Sequence, residues 1–81
     1  MTIRLLYFGV LKDFFEAEHD VVELPEGSCV EDLLAQLKDR AADDLPVWKA
    51  IAVAVNRDYA ELTTLLHDGD EVALLPPVSG G

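Results

Sequence analysis

The stretch that decides the fold is Glu71-Val72-Ala73-Leu74-Leu75-Pro76-Pro77-Val78-Ser79-Gly80-Gly81. Four consecutive apolar residues follow the turn signal Asp68-Gly69-Asp70 and predict a strand over 71–75. Two prolines then end the strand, because proline has no N–H to donate to a sheet ladder. The residues beyond it could span about 20 Å when fully extended. We therefore expect a folded domain over 1–75 and an extended, flexible tail over 76–81, slim enough to enter a narrow slot in a partner.

The composition describes a small acidic domain. The 81 residues are 51% apolar, which suffices for one core but leaves little room for a deep active site. Sixteen acidic and six basic residues give a net charge of −10, so the surface repels nucleic acid and anionic lipid and attracts a basic partner. No apolar run approaches about 18 residues and no signal pattern is visible, so we expect a cytoplasmic protein without membrane or nucleic-acid partners.

Short apolar segments bounded by turn residues predict the rest of the sheet. Strands are expected over 2–8, 20–24 and 51–55, with a short return strand at 59–60. The apolar spacing from Val10 to Glu16 predicts a short helical turn after the first strand. The third strand is followed by a predicted turn at Asn56-Arg57-Asp58, because asparagine tolerates a positive φ.

One amphipathic helix is predicted between the second and third strands. Ser28 is expected to be its N-cap and Glu31 to complete a capping box. The apolar residues that recur at helical spacing are Val30, Leu33, Leu34, Leu37 and Ala41. This helix covers one face of the sheet. A polar linker at 43–46 follows it, and Trp48 is expected at the rim of the core.

The order strand, strand, helix, strand, short strand, strand predicts an α+β fold. The first and last strands can lie side by side and parallel, with the helix crossing one face of a mixed sheet, which is the β-grasp arrangement of ubiquitin-like proteins. Side-chain alternation directs one set of residues toward the helix: Ile3, Leu5, Val53, Val55, Val72 and Leu74. An apolar patch is expected on the opposite face: Leu6, Phe8, Ala52, Ala54, Ala73 and Leu75.

The usual signatures of an independent catalyst are missing from the sequence. There is no glycine-rich phosphate loop, no nucleophile elbow and no cysteine with a nearby histidine. The single cysteine, Cys29, excludes an intramolecular disulfide and, with two separated histidines, argues against a metal site. Asp68 and Asp70 are spaced wrongly for a calcium loop, so a turn is expected there. A protein of this kind can still serve as a covalent carrier.

Two segments near the end are distinctive: D-G-D-E-V-A over 68–73 and P-P-V-S-G-G over 76–81. Together with Leu5-Leu6-Tyr7-Phe8-Gly9, Leu24-Pro25-Glu26-Gly27 and Val55-Asn56, they make the whole chain resemble the small subunits of molybdopterin synthase, the MoaD family of ubiquitin-like sulfur carriers. The chain departs from the family pattern at Gly9, where alanine is common, and at Leu75, where an aromatic residue can occur.

The resemblance implies a non-catalytic, sulfur-donating subunit of an enzyme complex. An E1-like adenylyltransferase would use ATP to adenylate the Gly81 carboxylate, which then becomes a thiocarboxylate and donates its sulfur to cyclic pyranopterin monophosphate to form the molybdopterin dithiolene. The tail would enter the large subunit, which carries the catalytic groups, in a heterotetramer. The implied tail-insertion residues are Pro76, Pro77, Val78, Ser79 and Gly80, and the implied partner surface is Phe8, Tyr59 and Leu75. No bound cofactor is implied.

Other interpretations remain open at this point. The same carrier chemistry could serve another pathway, such as thiazole synthesis, or the chain could be a ubiquitin-like modifier joined to lysines. A plain interaction module with a frayed terminus is a further alternative. Phe8 and Leu75 could also simply close the edge of the core.

Overall fold

The computed structural model describes residues 1–40 and 47–76. The predicted helix residue Ala41, the predicted linker at 43–46 and the tail from Pro77 to Gly81 lie outside these residues. The strands are β1 (Thr2–Tyr7), β2 (His19–Glu23), β3 (Ala52–Val55), β4 (Asp58–Ala60) and β5 (Glu71–Leu75). The helices are α1 (Val10–Phe15), α2 (Val30–Arg40) and α3 (Val47–Ala50).

The sheet has the strand order β2-β1-β5-β3-β4. β1 pairs in parallel with β5, with Leu5 opposite Val72 and Tyr7 opposite Leu74, and antiparallel with β2. β3 lies antiparallel to both β5 and β4. The parallel pairing of the first and last strands confirms the predicted β-grasp arrangement, and the long helix α2 packs on one face of the mixed sheet.

Every predicted strand is present; β5 has the predicted bounds, and the ends of the other four differ from the prediction by one residue. β1 ends at Tyr7 rather than Phe8, because the chain turns sharply at Gly9 and Leu11 N–H already donates to Phe8 O at 3.2 Å. The turn between β3 and β4 consists of Asn56 and Arg57, both at positive φ, with values of 51° and 75°. This is the geometry of a tight two-residue hairpin, so Asp58 belongs to β4 rather than to the turn.

The core lies between the sheet and the helices. Of the residues predicted to face the helix, Ile3, Leu5, Val72 and Leu74 are fully buried and Val53 nearly so. Val55, at the end of its strand, is partly buried and packs against this core, as predicted for a residue on the helix side of the sheet. The helix contributes the predicted apolar positions that are described, namely Val30, Leu33, Leu34 and Leu37.

An aromatic cluster closes the core at the end of the sheet where β1 leads into α1. The ring of Tyr7 stacks on that of Phe15, with centroids 4.5 Å apart and planes 7° from parallel. Phe15 in turn meets Trp48 edge to face at 6.4 Å. Trp48 is 7% exposed, so it lies within the core and the prediction of a rim position is wrong.

The predicted capping box of Ser28 and Glu31 is also wrong. The helix starts at Val30, and the N–H of Cys29 donates to Asp32 Oδ2 at 2.9 Å. In a capping box the N3 side chain accepts a hydrogen bond from the N-cap N–H. Here the N3 residue is Asp32, one residue after the predicted Glu31.

The segment 61–66 supplies acceptors for the first turn of α2. Val30 N–H donates to Thr64 O and Glu31 N–H donates to Leu62 O, each at 3.0 Å. The first N–H groups of a helix have no partner within the helix, so these two carbonyls satisfy donors that would otherwise be orphaned. Because the partners lie about 30 residues away, no local pattern could reveal this cap. Within 1–40 and 47–76, no helix has the length and apolarity needed to cross a bilayer.

Candidate functional site

The sheet face opposite α2 carries an apolar row that crosses four strands. Leu6 pairs with Ala73, Ala73 with Ala54, and Ala54 with Tyr59. Paired residues on neighbouring strands project to the same side of a sheet, so these four side chains share the outer face. The predicted placement of Leu6, Ala54 and Ala73 on this face is therefore correct. Ala54, in the middle of the row, is only 8% exposed.

The outer face contains an open depression of about 470 Å³ at the end of the sheet where β5 stops. We call it the outer depression, and its lining residues are Phe8, Gly9, Ala50, Ala52, Tyr59, Leu75 and Pro76. The structure thus brings together Phe8, Tyr59 and Leu75, which are far apart in the sequence and were predicted as a partner surface. Pro76, the first residue of the predicted tail, lies at the same place.

The side chains of the outer depression are apolar and at least partly exposed. Tyr59 is 81% exposed and Phe8 is 42% exposed, although both are large aromatic residues. Neither Phe8 nor Leu75 belongs to the buried core cluster, which speaks against a role in closing the core edge. Exposed aromatic side chains grouped around small residues are typical of surfaces that bind another protein.

Two charged residues on the outer face, Arg4 and Glu71, lie at the end of the sheet away from the outer depression. Arg4 pairs with Glu71 in the parallel ladder, and its Nη2 donates to Gly69 O at 3.3 Å. The residues that line the outer depression carry no charged side chain. The outer depression beside the tail is therefore apolar, whereas charged side chains lie elsewhere on the outer face.

The acidic residues before β5 are used by turns. Asp68 Oδ1 accepts a hydrogen bond from Thr2 N–H at 2.7 Å. Asp70 accepts from His67 N–H at 2.8 Å and from Asn56 Nδ2 at 3.0 Å. The predicted turn role is confirmed, and within 1–40 and 47–76 no group of three or more His, Cys, Asp or Glu side chains is arranged to hold a metal ion.

The first residue of the tail rests on the turn between β1 and α1. A Cβ added to Gly9 would lie 2.8 Å from Pro76 Cγ, so the two residues are in close contact. In the sequence, Gly9 stood within one of the segments that carry the family resemblance and as a departure from the family pattern, but not as a contact of the tail. A glycine directly after a strand was the available signal, since it often marks a close backbone approach. The remaining predicted site residues, Pro77, Val78, Ser79, Gly80 and Gly81, lie outside the described residues.

A five-stranded mixed sheet with one long helix across it, ending in a strand that leads out beside an apolar depression, defines a ubiquitin-like β-grasp protein. Within that class the chain belongs to the ThiS family, whose model matches residues 5–81. The molybdopterin synthase sulfur carrier subunit of Chlamydomonas reinhardtii is 37% identical to it over the whole of both chains. The resemblance to molybdopterin synthase small subunits is thereby confirmed.

Solved structures agree with this assignment. The crystal structure of small archaeal modifier protein 1 from Haloferax volcanii covers the whole of both chains with a TM-score of 0.83 and 28% identity. A chain in the complex of subunits 1 and 2 of molybdopterin-converting factor from Helicobacter pylori is 31% identical, with a TM-score of 0.70 and full coverage of both chains.

Proposed function

We propose that this chain is the sulfur carrier subunit of a cytoplasmic molybdopterin synthase, with Gly81 as the residue that carries the sulfur. The observation that supports this most strongly is the position of the outer depression directly beside the start of the tail. A partner that covers the depression receives the tail at the same time. The full-length relatives of this chain include proteins named as sulfur carrier subunits of that enzyme.

Activation of the tail is the first chemical stage of the proposal. A carboxylate is a poor acyl electrophile, so an E1-like adenylyltransferase joins the Gly81 carboxylate to the α-phosphate of ATP and releases pyrophosphate. Hydrosulfide released by a sulfur donor then attacks the acyl carbon and displaces AMP. The product is a thiocarboxylate at Gly81, which carries sulfur without any bound cofactor.

Transfer takes place in the large subunit of the synthase. The tail residues Pro76 to Gly80 enter a narrow channel, where two glycines keep the end of the tail slim. The prolines restrict the free tail and so reduce the entropy lost on entry. The large subunit supplies the catalytic groups, and the sulfur passes to cyclic pyranopterin monophosphate toward the dithiolene. Water takes the place of the sulfur at the acyl carbon, which returns Gly81 to a carboxylate. This chain contributes the acyl end and its delivery.

Docking would use the outer depression. Tyr59 and Phe8 are the exposed aromatic anchors, and aromatic residues of this kind dominate binding energies at many interfaces. The net charge of −10 favours fast association with a basic partner surface. The complex of the two converting-factor subunits from Helicobacter pylori contains a structural relative of this chain, which supports a large-subunit partner here. We further propose the heterotetramer of two small and two large subunits that the family resemblance implies.

Intact-mass analysis of the chain purified from its own cells tests the proposal. The expected result is a fraction of molecules with the mass shift of one oxygen replaced by sulfur, which disappears in a variant lacking Gly81. The same variant should bind the large subunit normally but fail to support synthesis of the cofactor. Normal cofactor synthesis by the shortened variant would show that the proposal is wrong.

A second candidate function is protein modification. The likeness to small archaeal modifier protein 1 favours it, because that protein shares the fold over the whole chain. Adenylation of Gly81 would be common to both functions, and the difference is whether a sulfur donor or a lysine amine attacks next. A ladder of heavier conjugates with isopeptide-linked Gly81, in place of the sulfur-shifted mass, would identify a modifier.

A further inference from the structure

A second depression lies on the outer face toward β2, whereas the outer depression lies toward β4. It has a volume of about 270 Å³, and we call it the second depression. Leu6 pairs with His19 across the β1–β2 ladder, so both side chains project from the outer face. Phe8 lines both depressions, which makes them neighbours. The residues that line the second depression are Leu6, Tyr7, Phe8, Lys12, Glu18 and His19.

The second depression combines apolar side chains with a polar rim. Leu6 is partly exposed and Phe8 is 42% exposed. The rim side chains of Lys12, Glu18 and His19 are exposed, and none of them has a hydrogen bond or ion pair within the described part of the chain. An apolar centre surrounded by polar groups is the usual arrangement of a protein interface. The polar groups of this rim are therefore available to a partner.

One apolar row joins the two depressions. Leu6 lines the second depression and Tyr59 lines the outer depression, with Ala73 and Ala54 between them in the ladder. Neighbouring strands lie about 4.8 Å apart, so the three intervals of the row span about 14 Å. A partner that contacts Tyr59 therefore needs to extend only this far across the sheet to reach Leu6.

The size of a stable interface requires more surface than the outer depression offers. A standard interface covers about 800 Å² and 20–30 residues on each partner, which corresponds to a patch about 30 Å across. The outer depression has seven lining residues. Because β4 is an edge strand, the surface can continue across the strands only toward β1 and β2. A patch of standard size that includes Tyr59 thus also includes the second depression.

The charge of the chain indicates which partner covers this surface. Two copies of the chain would each bring a net charge of −10 and would repel one another, whereas a basic protein is attracted. The large subunit is the partner that receives the tail, and the tail starts at Pro76 beside the outer depression. These two conditions favour the large subunit over a second copy of the chain.

We propose that the docking surface for the large subunit extends from the outer depression across the apolar row into the second depression. There an apolar side chain of the large subunit lies against Leu6 and Phe8, and polar groups beside it bind the rim. The inference rests on the proposed function, because it names a second contact region for the same partner. Its failure and that of the proposed function are separated by Tyr59→Asp, which affects the outer depression alone.

Leu6→Ala tests the contact by truncation, with Leu62→Ala as the matched control. Leu62 is 52% exposed and lines neither depression. Leu6→Ala should weaken binding to the large subunit by at least about fivefold, since an apolar side chain in the centre of an interface is lost. Leu62→Ala should bind within about twofold of the wild-type chain. Equal affinities for the Leu6 and Leu62 variants would overturn the proposal.

His19→Trp tests the same contact without removing any apolar side chain, which covers the case that Leu6→Ala folds poorly. Tryptophan is favoured in strands, and its indole at residue 19 would occupy the space that the partner side chain needs. Binding should weaken by at least about tenfold. His67→Trp is the matched control, because His67 is the other histidine of the chain and lines neither depression. Unchanged or tighter binding by His19→Trp would overturn the proposal.

An NMR footprint of the wild-type chain decides the extent of the surface directly. Addition of unlabelled large subunit should change the amide signals of Glu18 and His19 together with that of Tyr59, and leave those of Leu62 and His67 in place. Changes at Tyr59 without changes at Glu18 and His19 would overturn this inference and leave the proposed function standing. Concentration-dependent changes at Glu18 and His19 without the large subunit would identify a second copy as the occupant and would also overturn it. Absence of any binding would refute the proposed function and the inference together.

The additivity of two substitutions shows whether both depressions belong to one docking surface. Leu6 and Tyr59 lie about 14 Å apart in the row, and substitutions at this distance act independently when both side chains contact the same partner. The loss of affinity in Leu6→Ala combined with Tyr59→Asp should therefore equal the product of the two single losses. A double variant that binds no more weakly than Tyr59→Asp would overturn the proposal.

Discussion

Asn56 and Asp70 hold the β3–β4 hairpin against the loop that precedes β5. Asn56 Nδ2 donates to Asp70 Oδ1 at 3.0 Å, and Asn56 Oδ1 accepts from Glu71 N–H at 3.0 Å. A backbone hydrogen bond adds to these contacts, since Asn56 N–H donates to Glu71 O at 2.7 Å. One asparagine side chain therefore fixes the point at which the last strand starts. This contact ties the start of the strand that leads into the tail to the β3–β4 hairpin.

Asn56→Gly should destabilise the fold by about 1–2 kcal/mol, because it removes two side-chain hydrogen bonds. Glycine is the right replacement since it keeps the positive φ of residue 56 without strain. Denaturant unfolding measures the change. An unaltered free energy of unfolding would mean that the backbone bonds alone secure the start of β5.

Arg57→Gly provides the matched control and should have the opposite sign. Arg57 is exposed and sits at φ 75°, a conformation that costs L-residues about 1–2 kcal/mol. Glycine relieves this cost, but it also raises the conformational entropy of the unfolded chain, which opposes folding. A net stabilisation of the folded state by about 0.5 kcal/mol is therefore expected. The same unfolding experiment checks it. A loss of stability would contradict the assignment of the turn as a two-residue hairpin with both residues at positive φ.

Local patterns in the sequence predicted much of this fold. Alternation in β1 and β5 identified the buried residues, and the order of elements identified the parallel pairing of the first and last strands. The likeness to a known family predicted that Phe8, Tyr59 and Leu75 form one surface, and the structure places all three around the outer depression. These features depend on spacing along the chain or on a pattern common to relatives, which a sequence displays directly.

Features that depend on long-range contacts could not be predicted. The start of α2 is fixed by carbonyls of Leu62 and Thr64, which approach only once the chain has folded. The depth of Trp48 follows from its contact with Phe15, about 30 residues away. The contact of Gly9 with Pro76 arises from strand pairing across the whole chain. In each case a local rule was outweighed by tertiary packing.

Tyr7 should make the stability of the fold depend on pH above 10. Burial, helped by the negative charge of Asp20 and opposed by Arg40, raises the pKa of Tyr7 from 10.0 to about 12. The folded state therefore favours the protonated hydroxyl, which donates to Asp20 Oδ2 at 3.4 Å. This contribution is complete below pH 10 and is lost as the pH rises through about 12.

Tyr7→Phe should make the free energy of unfolding less dependent on pH between pH 10 and 12. The wild-type chain should lose roughly 1–2 kcal/mol of stability between pH 10 and 12 that the variant does not lose. Urea unfolding at several pH values measures the difference, with Tyr59→Phe as the control because Tyr59 is 81% exposed. Parallel profiles for wild type and Tyr7→Phe would contradict the prediction.

The outer depression can be tested by a charge placed on its most exposed side chain. Tyr59→Asp should weaken binding to the large subunit by at least about tenfold, because loss of a central aromatic anchor typically costs 2 kcal/mol or more. Leu65→Asp is the matched control: Leu65 is 58% exposed and does not line the depression. It should bind like the wild-type chain, and both variants should keep the unfolding temperature.

Phe8→Asp and Leu75→Asp should likewise weaken binding while the fold stays intact. Equal affinities for the Tyr59 and Leu65 variants would remove the depression as the docking surface.

The width of the tail is the last property to be tested, with Gly80→Val. A branched side chain beside the acyl end obstructs any narrow channel that admits a glycine, and β-branching also stiffens the tail. Delivery of sulfur should therefore slow by at least about tenfold, since the reacting group no longer reaches its position. Affinity for the large subunit should change little if the outer depression supplies most of the binding energy. Ser79→Ala keeps the tail slim and serves as the control, with single-turnover transfer and equilibrium binding measured for both variants. Normal transfer by Gly80→Val would show that the end of the tail works in an open site, and the reason for the two terminal glycines would have to be sought elsewhere.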